Sequence, residues 1–332
     1  MKLLHAAVLS VTVLFSQVTQ AQTLSERFGS LLSNQKPSAK TVGNGGSALN
    51  CEDHYLLGKP VVSHSEKDRV ERRSFYLCRD AYAIQFDPAY KTAIWSAENL
   101  TAQRLQGTKE PRSDDFQPDP QVPNPAQAAL NDYKGSQFDR GHLAPAADMK
   151  VFNPVLNSLQ LSDANTRAMS QSFFLTNMVP QVGPNQNRGI WADLEGQVRT
   201  WALQKGQLLV VTGPVYDQGF QVMGRSKVAI PTRLYKVIID TKTYNAIAFV
   251  IPNRQIVTRK TRKLDYGNPQ YPQTLDTNAI NCGNKSCTLA NFIVPVAEVE
   301  KLTNLRFFSK LSASDHGKVV NTVNVNQWQF KN

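Results

Sequence analysis

Two-residue and 3.6-residue hydrophobic periods follow one another along this chain in no regular sequence, and that irregularity is the strongest constraint on its fold. Ser74–Cys78, Ala81–Phe86 and Thr92–Leu100 carry strand patterns, the second with aromatic and aliphatic side chains alternating. Leu208–Val211, Arg233–Ile239 and Ala246–Ile251 are further strands, and Phe173–Asn177 fits another. Residues 155–171 are helical in pattern, and Ile190–Lys205 has the apolar stripe Trp191, Leu194, Val198 and Trp201. Between them Pro184–Arg188 is a turn-rich connector, and Val296–Thr303 is a short helix. There is no strict strand–helix repeat and no Gly-rich dinucleotide fingerprint. The pattern predicts a mixed α+β domain rather than a doubly wound one. The 332 residues suffice for one large core or two modest ones, and no internal repeat divides them. One ordered domain over residues 51–332 is expected.

What precedes it is of a different kind. Lys2 begins a stretch whose Leu3–Phe15 segment is largely apolar, and Val18-Thr19-Gln20-Ala21 offers a small residue for cleavage. This predicts a signal peptide over residues 1–21, cut near Ala21, and an exported protein, secreted or periplasmic. The apolar stretch is short for a membrane span, so no stable membrane association is expected. Residues 22–50 are polar, with Gly43-Asn44-Gly45-Gly46, and predict a flexible segment. An even number of cysteines in an exported chain predicts disulfides. Cys51–Cys78 and Cys282–Cys287, each local in sequence, are favoured among three possible connectivities, between which sequence alone does not choose. A zinc site is the weaker alternative, because there is neither a Cys-x-x-Cys pair nor a histidine cluster.

Charge and chemistry meet in the middle of the chain. Lys and Arg number 37 against 26 Asp and Glu, a net +11. Such a surface attracts polyanions, although it serves solubility equally. Of five histidines, His142 stands in Asp139-Arg140-Gly141-His142, followed by Leu143-Ala144-Pro145-Ala146-Ala147-Asp148-Met149. An imidazole takes a proton near neutral pH. A guanidinium holds phosphate oxygens through a planar fork of donors. A base beside a phosphate clamp is what phosphodiester hydrolysis requires, while a lone histidine is more often structural.

The residues that follow extend the pattern. They are Thr176-Asn177-Met178-Val179-Pro180-Gln181, then Asn187, Trp191, Leu194-Glu195 and Arg199. Beyond these stand Thr212-Gly213-Pro214-Val215-Tyr216, Ile230-Pro231-Thr232-Arg233-Leu234-Tyr235-Lys236, Val299–Leu305 and Phe307-Phe308. From about residue 70 to about residue 310 this order resembles the DNA/RNA non-specific endonucleases, a secreted branch of the ββα-metal (His-Me finger) nucleases. The resemblance implies an α+β fold with a mixed β-sheet core, flanking helices and a ββα-metal site. It implies a Mg²⁺-dependent endonuclease, with Mn²⁺ able to substitute, that hydrolyses DNA and RNA and leaves 5′-phosphate ends.

Roles follow from the same resemblance. His142 is the general base. Asn187 is the metal ligand, a hard neutral oxygen suited to Mg²⁺, although an asparagine there also suits a helix cap. The Asn177–Asn187 separation is one residue longer than the family pattern, so Asn185 is a second choice. The glutamate matching Glu195 holds a water of the metal shell, and two helical turns would bring it near Asn187. Arg199 helps the metal shell or the phosphate. Read without the family, Glu195 and Arg199 are an ordinary i,i+4 ion pair. Arg140 binds phosphate or secures the site, and Asn177 supports the geometry of the histidine and metal. Arg112, in a Pro-rich stretch over residues 106–138 that reads as a long surface loop, matches an arginine that holds the scissile phosphate. Asp139 reads as structural, and Asp148 and Asp163 as helix caps. Two rival functions are a phosphodiesterase or pyrophosphatase acting on nucleotides, and a non-catalytic nucleic-acid-binding protein.

Overall fold

The computed structural model describes residues 50–62, 73–107, 110–258, 279–283 and 286–330. The expected signal peptide and nearly all of the polar segment after it lie outside these residues. The strands that matter here are β1 (Phe75–Cys78), β2 (Ala83–Asp87), β3 (Thr92–Thr101), β4 (Phe138–His142), β5 (Met178–Val182), β6 (Gln207–Val215), β7 (Arg233–Asp240), β8 (Ala246–Pro252) and β9 (Ile293–Val294). Seven of them form one sheet in the order β9-β8-β7-β6-β3-β2-β1. Every pairing in it is antiparallel. β4 and β5 pair only with each other, also antiparallel.

β8 and the Leu208–Val211 run of β6 are apolar without a break because both faces of the sheet are covered. In β6, Leu208 and Val210 face one core while Leu209 and Val211 face another. The helices are α1 (Ala102–Gln106), α2 (Leu130–Tyr133), α3 (Ser158–Ser172), α4 (Ala192–Lys205), α5 (Val296–Thr303) and α6 (Ala313–Asn321). The first core takes Ala164 and Ala168 from α3, and Trp191, Leu194, Val198 and Trp201 from the helix that runs into and through α4. The second takes Val296 and Val299 from α5 and Val319 and Val320 from α6. The α+β expectation is met as helices on both faces of one antiparallel sheet. Both favoured disulfides are formed, with Cα–Cα distances of 5.7 Å for Cys51–Cys78 and 5.1 Å for Cys282–Cys287. Among the described residues no helix is long and apolar enough to cross a membrane.

Three local expectations are corrected. Phe173–Asn177 is not a strand: α3 ends at Ser172, Phe173 is its C-cap, and Leu175–Asn177 forms a single 3₁₀ turn. Its aromatic and aliphatic side chains are buried by packing, and its pairing is limited to a single parallel bridge between Phe174 and Gln117. Pro184–Arg188 is not an open connector but part of a wide, π-type helical segment, Gly183–Trp191, that leads into α4. Proline is tolerated in its first turn, where a missing N–H leaves no bond unmade. The 106–138 stretch does not run wholly over the surface, because Asp119, Val122, Gln127 and Tyr133 are buried. Gln127 makes this possible by satisfying the backbone: its Nε2 donates to Asp119 O at 2.9 Å and Val122 O at 2.6 Å. Of the expected caps, Asp163 lies inside α3, whose cap is Asn157 accepting from Gln160 N at 3.0 Å.

Candidate active site

The site is built on the β4–β5 pair and the helix that follows it. His142 stands opposite Met178, Gly141 opposite Val179, and Asp139 opposite Gln181. Gly141 is required by close approach, since a Cβ there would run into the Gln181 side chain. Asn177, just before β5, is fully buried. Its Oδ1 accepts from Ala144 N at 3.0 Å, and its Nδ2 donates to the carbonyls of Ala144 and Ser172, each at 2.9 Å. Leu143 N donates to the Asn177 carbonyl at 3.0 Å. Asn177 therefore fixes the backbone immediately after His142, and its amide has nothing left for a ligand.

His142 lies in an aromatic corner, edge-on to Phe173 at 4.9 Å and to Phe116 at 5.8 Å between centroids. The same two rings carry the two arginines. The Arg140 guanidinium stacks on Phe116 at 3.9 Å, and that of Arg112 on Phe173 at 4.8 Å. Stacking fixes the plane of a guanidinium while leaving its N–H edge free. Arg112 is half exposed, and its Nε donates to Asp114 Oδ1 at 2.6 Å. Burial, then the charges of Arg112 and Arg140, lower the His142 pKa from 6.5 to about 3. The ring is neutral at ordinary pH, and its Nε2 has no hydrogen-bond partner.

Arg112, Phe116, Asp139, Arg140, Asn187 and Arg188 line one cleft of about 570 Å³. Asn185 is not among its lining residues. Asn187 donates from Nδ2 to Asp139 Oδ2 at 2.9 Å, and Arg188 Nε lies 3.1 Å from the same oxygen. With its nitrogen anchored, the Asn187 amide turns a hard, neutral oxygen toward the cleft. That donor fits a magnesium-like ion that keeps most of its water, and not a cage of protein ligands. Consistently, the described residues contain no group of three or more His, Cys, Asp or Glu side chains arranged for a metal. Asp139, read from sequence as merely structural, thus orients the expected ligand. No local signal pointed to it, since its partners lie 48 and 49 positions along the chain.

Glu195 and Arg199 are not among the residues that line this cleft. Arg199 does not pair with Glu195: its Nη1 donates to Asp148 Oδ1 at 2.9 Å. Asp148 is therefore an ion-pair partner and not simply a cap. Burial raises the Glu195 pKa to about 7, with Asp148 adding and Lys236 and Arg199 opposing. The Trp191 indole N–H leans toward this carboxylate without reaching hydrogen-bond geometry. Glu195 and Asn187 share the helical course that runs from Gly183 into α4.

Comparison with known proteins shows the family. The chain matches the family model for DNA/RNA non-specific endonuclease over residues 64–314. It is 34% identical over 259 residues to Nuclease C1 of Cunninghamella echinulata var. echinulata, covering 73% of this chain and 86% of that protein. It is 30% identical over 311 residues to the mitochondrial nuclease EXOG of Xenopus laevis, covering 87% and 74% respectively. In fold it is similar to a chain from the crystal structure of the EndoG/EndoGI complex, with a TM-score of 0.57 at 24% identity, covering 79% of this chain and 92% of that one. A strand pair bearing Arg140 and His142, packed on a helix bearing Asn187, thus stands in a chain that belongs to the DNA/RNA non-specific endonuclease family.

Proposed function

We propose that this protein is an exported, sugar-non-specific endonuclease that hydrolyses DNA and RNA with His142 as general base and a Mg²⁺ ion, replaceable by Mn²⁺, held at Asn187. The observation that carries this reading is the neutral His142 packed on Phe116 and Phe173, the two rings that carry Arg140 and Arg112, both of which line the Asn187 cleft. The N–H edge of Arg140, and the terminal N–H groups that Arg112 keeps beside its Asp114 bond, suit the non-bridging oxygens of the scissile phosphate. The imidazole takes the proton from the attacking water. A phosphate bound there offsets the arginine charges that depress the histidine, which makes it a better base when substrate is present. Asn187, its amide oriented by Asp139, holds the metal, which when bound supplies charge stabilisation at the departing 3′ oxygen. Attack by water, with no ribose hydroxyl required, is why both sugars are cut and 5′-phosphate ends result. The net charge of +11 favours a polymer over a free nucleotide. The Lys2 start and apolar Leu3–Phe15 segment support export by a signal peptide.

The test is digestion of plasmid, linear DNA and RNA, with and without chelator, beside the His142→Ala protein. Cleavage of all three that stops in chelator, returns with Mg²⁺ or Mn²⁺ and is lost in the variant is the expected result. Activity in excess chelator refutes the metal, and turnover of a small diester without polymer cleavage makes the protein a nucleotide phosphodiesterase.

A further inference from the structure

The sheet face beneath α4 is interrupted by a row of polar residues. Thr212 of β6 stands opposite Ser96 of β3 on one side and Lys236 of β7 on the other, and Glu98 lies two residues from Ser96. Each of the four is 1% exposed. Their neighbours on the same face, Leu100, Val210, Leu234 and Ile238, belong to the apolar core under α4. A lysine between Leu234 and Ile238 is therefore not there for packing.

Lys236 Nζ donates to Thr212 Oγ1 at 2.6 Å and lies 5.2 Å from the centre of the Trp191 ring. The charged groups facing it are Glu98 from β3, Asp148 from the turn after the histidine motif, and Glu195 and Arg199 from α4. Arg104 of α1 closes the set, 3.8 Å from Glu98 and donating to the Asp148 carbonyl at 2.6 Å. Three carboxylates thus meet three cations. Arg199 is taken by Asp148 and Arg104 stands against Glu98, while Lys236 and Glu195 act on each other through their charges across the buried cluster, without a direct ion pair. A buried ammonium without a carboxylate is strongly unfavourable, and so is the converse.

We propose that Lys236 is a positioning residue for cleavage: anchored on Thr212 and set against the face of Trp191, it seats the helical course that carries Asn187 and Glu195, and its charge balances the Glu195 carboxylate. This rests on the nuclease reading. It gives a task to the last residue of the Ile230–Lys236 motif, which no step at the cleft uses.

The test compares full-length Lys236→Met and Lys236→Arg with the wild type. Three quantities are measured: plasmid cleavage from pH 5 to 9, DNA binding in chelator, and melting temperature. The methionine variant should bind DNA as the wild type does and cut at least ~10-fold more slowly at pH 7. Glu195, without its cation, takes up a proton more readily. The acid limb of the rate profile should therefore move to higher pH, with part of the rate returning on the alkaline side. The arginine variant should stay within a few-fold of wild type. An unchanged rate and profile in Lys236→Met overturns the proposal. So does a loss by one factor at every pH that follows a lower melting temperature, since that is loss of fold alone. If the methionine variant does not fold, Thr212→Val removes the acceptor of Nζ while keeping the lysine, and must shift the limb in the same direction. A wild-type protein that cuts no nucleic acid overturns the nuclease reading itself, whereas an active wild type with indifferent variants overturns only the role of Lys236.

Discussion

The two faces of the central sheet are made by the same strands and differ in kind. On the side of α5 and α6, β6 and β7 present Leu209, Val211, Val237 and Ile239, all apolar and all buried. On the side of α4 the same strands present Thr212 and Lys236, and β3 adds Ser96 and Glu98. The first face contributes packing and can tolerate any residue of suitable shape. The second gives up packing beneath the helix that leads from the cleft, and only a specific charge pattern serves there. Loss of a residue should therefore read out as stability on one face and as rate on the other.

Ways to break that contrast run from large effects to small. At the cleft itself, His142→Ala should slow plasmid cleavage by at least ~10² while DNA binding in chelator persists; near-wild-type turnover would remove His142 from the chemistry. Asp139→Ala frees the Asn187 amide and should raise the Mg²⁺ concentration for half-maximal cleavage by ~10–100-fold. An unchanged metal titration would show that Asp139 does not orient the ligand. On the packing face, Ile239→Ala should lower stability by ~2–5 kcal/mol in urea unfolding, with the cleavage rate of the folded protein unchanged. A rate loss there at full folding would erase the distinction between the faces.

A subtler test uses pH. His54 and His142 are both buried, and both have pKa values lowered from 6.5 to about 3. The unfolded chain takes up protons below 6.5 that the folded chain refuses. Stability is thus complete above that pH and is lost as pH falls toward 3. Ring resonances of His142 should stay at their neutral positions at pH 5, and movement between pH 6 and 7 would contradict its burial. The smallest effect is expected at the rim. Arg188 is largely exposed and its pair with Asp139 is of the kind worth ~0–1 kcal/mol, so Arg188→Ala should change cleavage by no more than a few-fold.

The long strands and the stripe of α4 were legible because their periods are set by burial on known faces, as Trp191, Leu194, Val198 and Trp201 show. The placement of Arg140 and His142 on a strand, with Asn187 on the following helix, was legible through motif order. What escaped has a common cause: polar side chains that act across the chain. Gln127 satisfies the backbone at Asp119 and Val122 by hydrogen bonds, so these buried positions stand in a largely exposed stretch and carry no apolar period. Asp139 stands next to an arginine in sequence yet serves Asn187, and Asp148 finds Arg199. Phe173-Phe174-Leu175 has the composition of a strand, but its residues end one helix and begin a turn around Asn177. Only Lys236 left a visible trace, as a charge inside an aliphatic strand.

The order in which strands pair also sets when the site can be completed. β3 has as its partner β6, so Ser96 waits for Thr212, and the cleft needs both β4 and the helix after β5. Such distant pairings close late. A chain still emerging from the ribosome already carries Arg140 and His142 but lacks the sheet on which their helix rests.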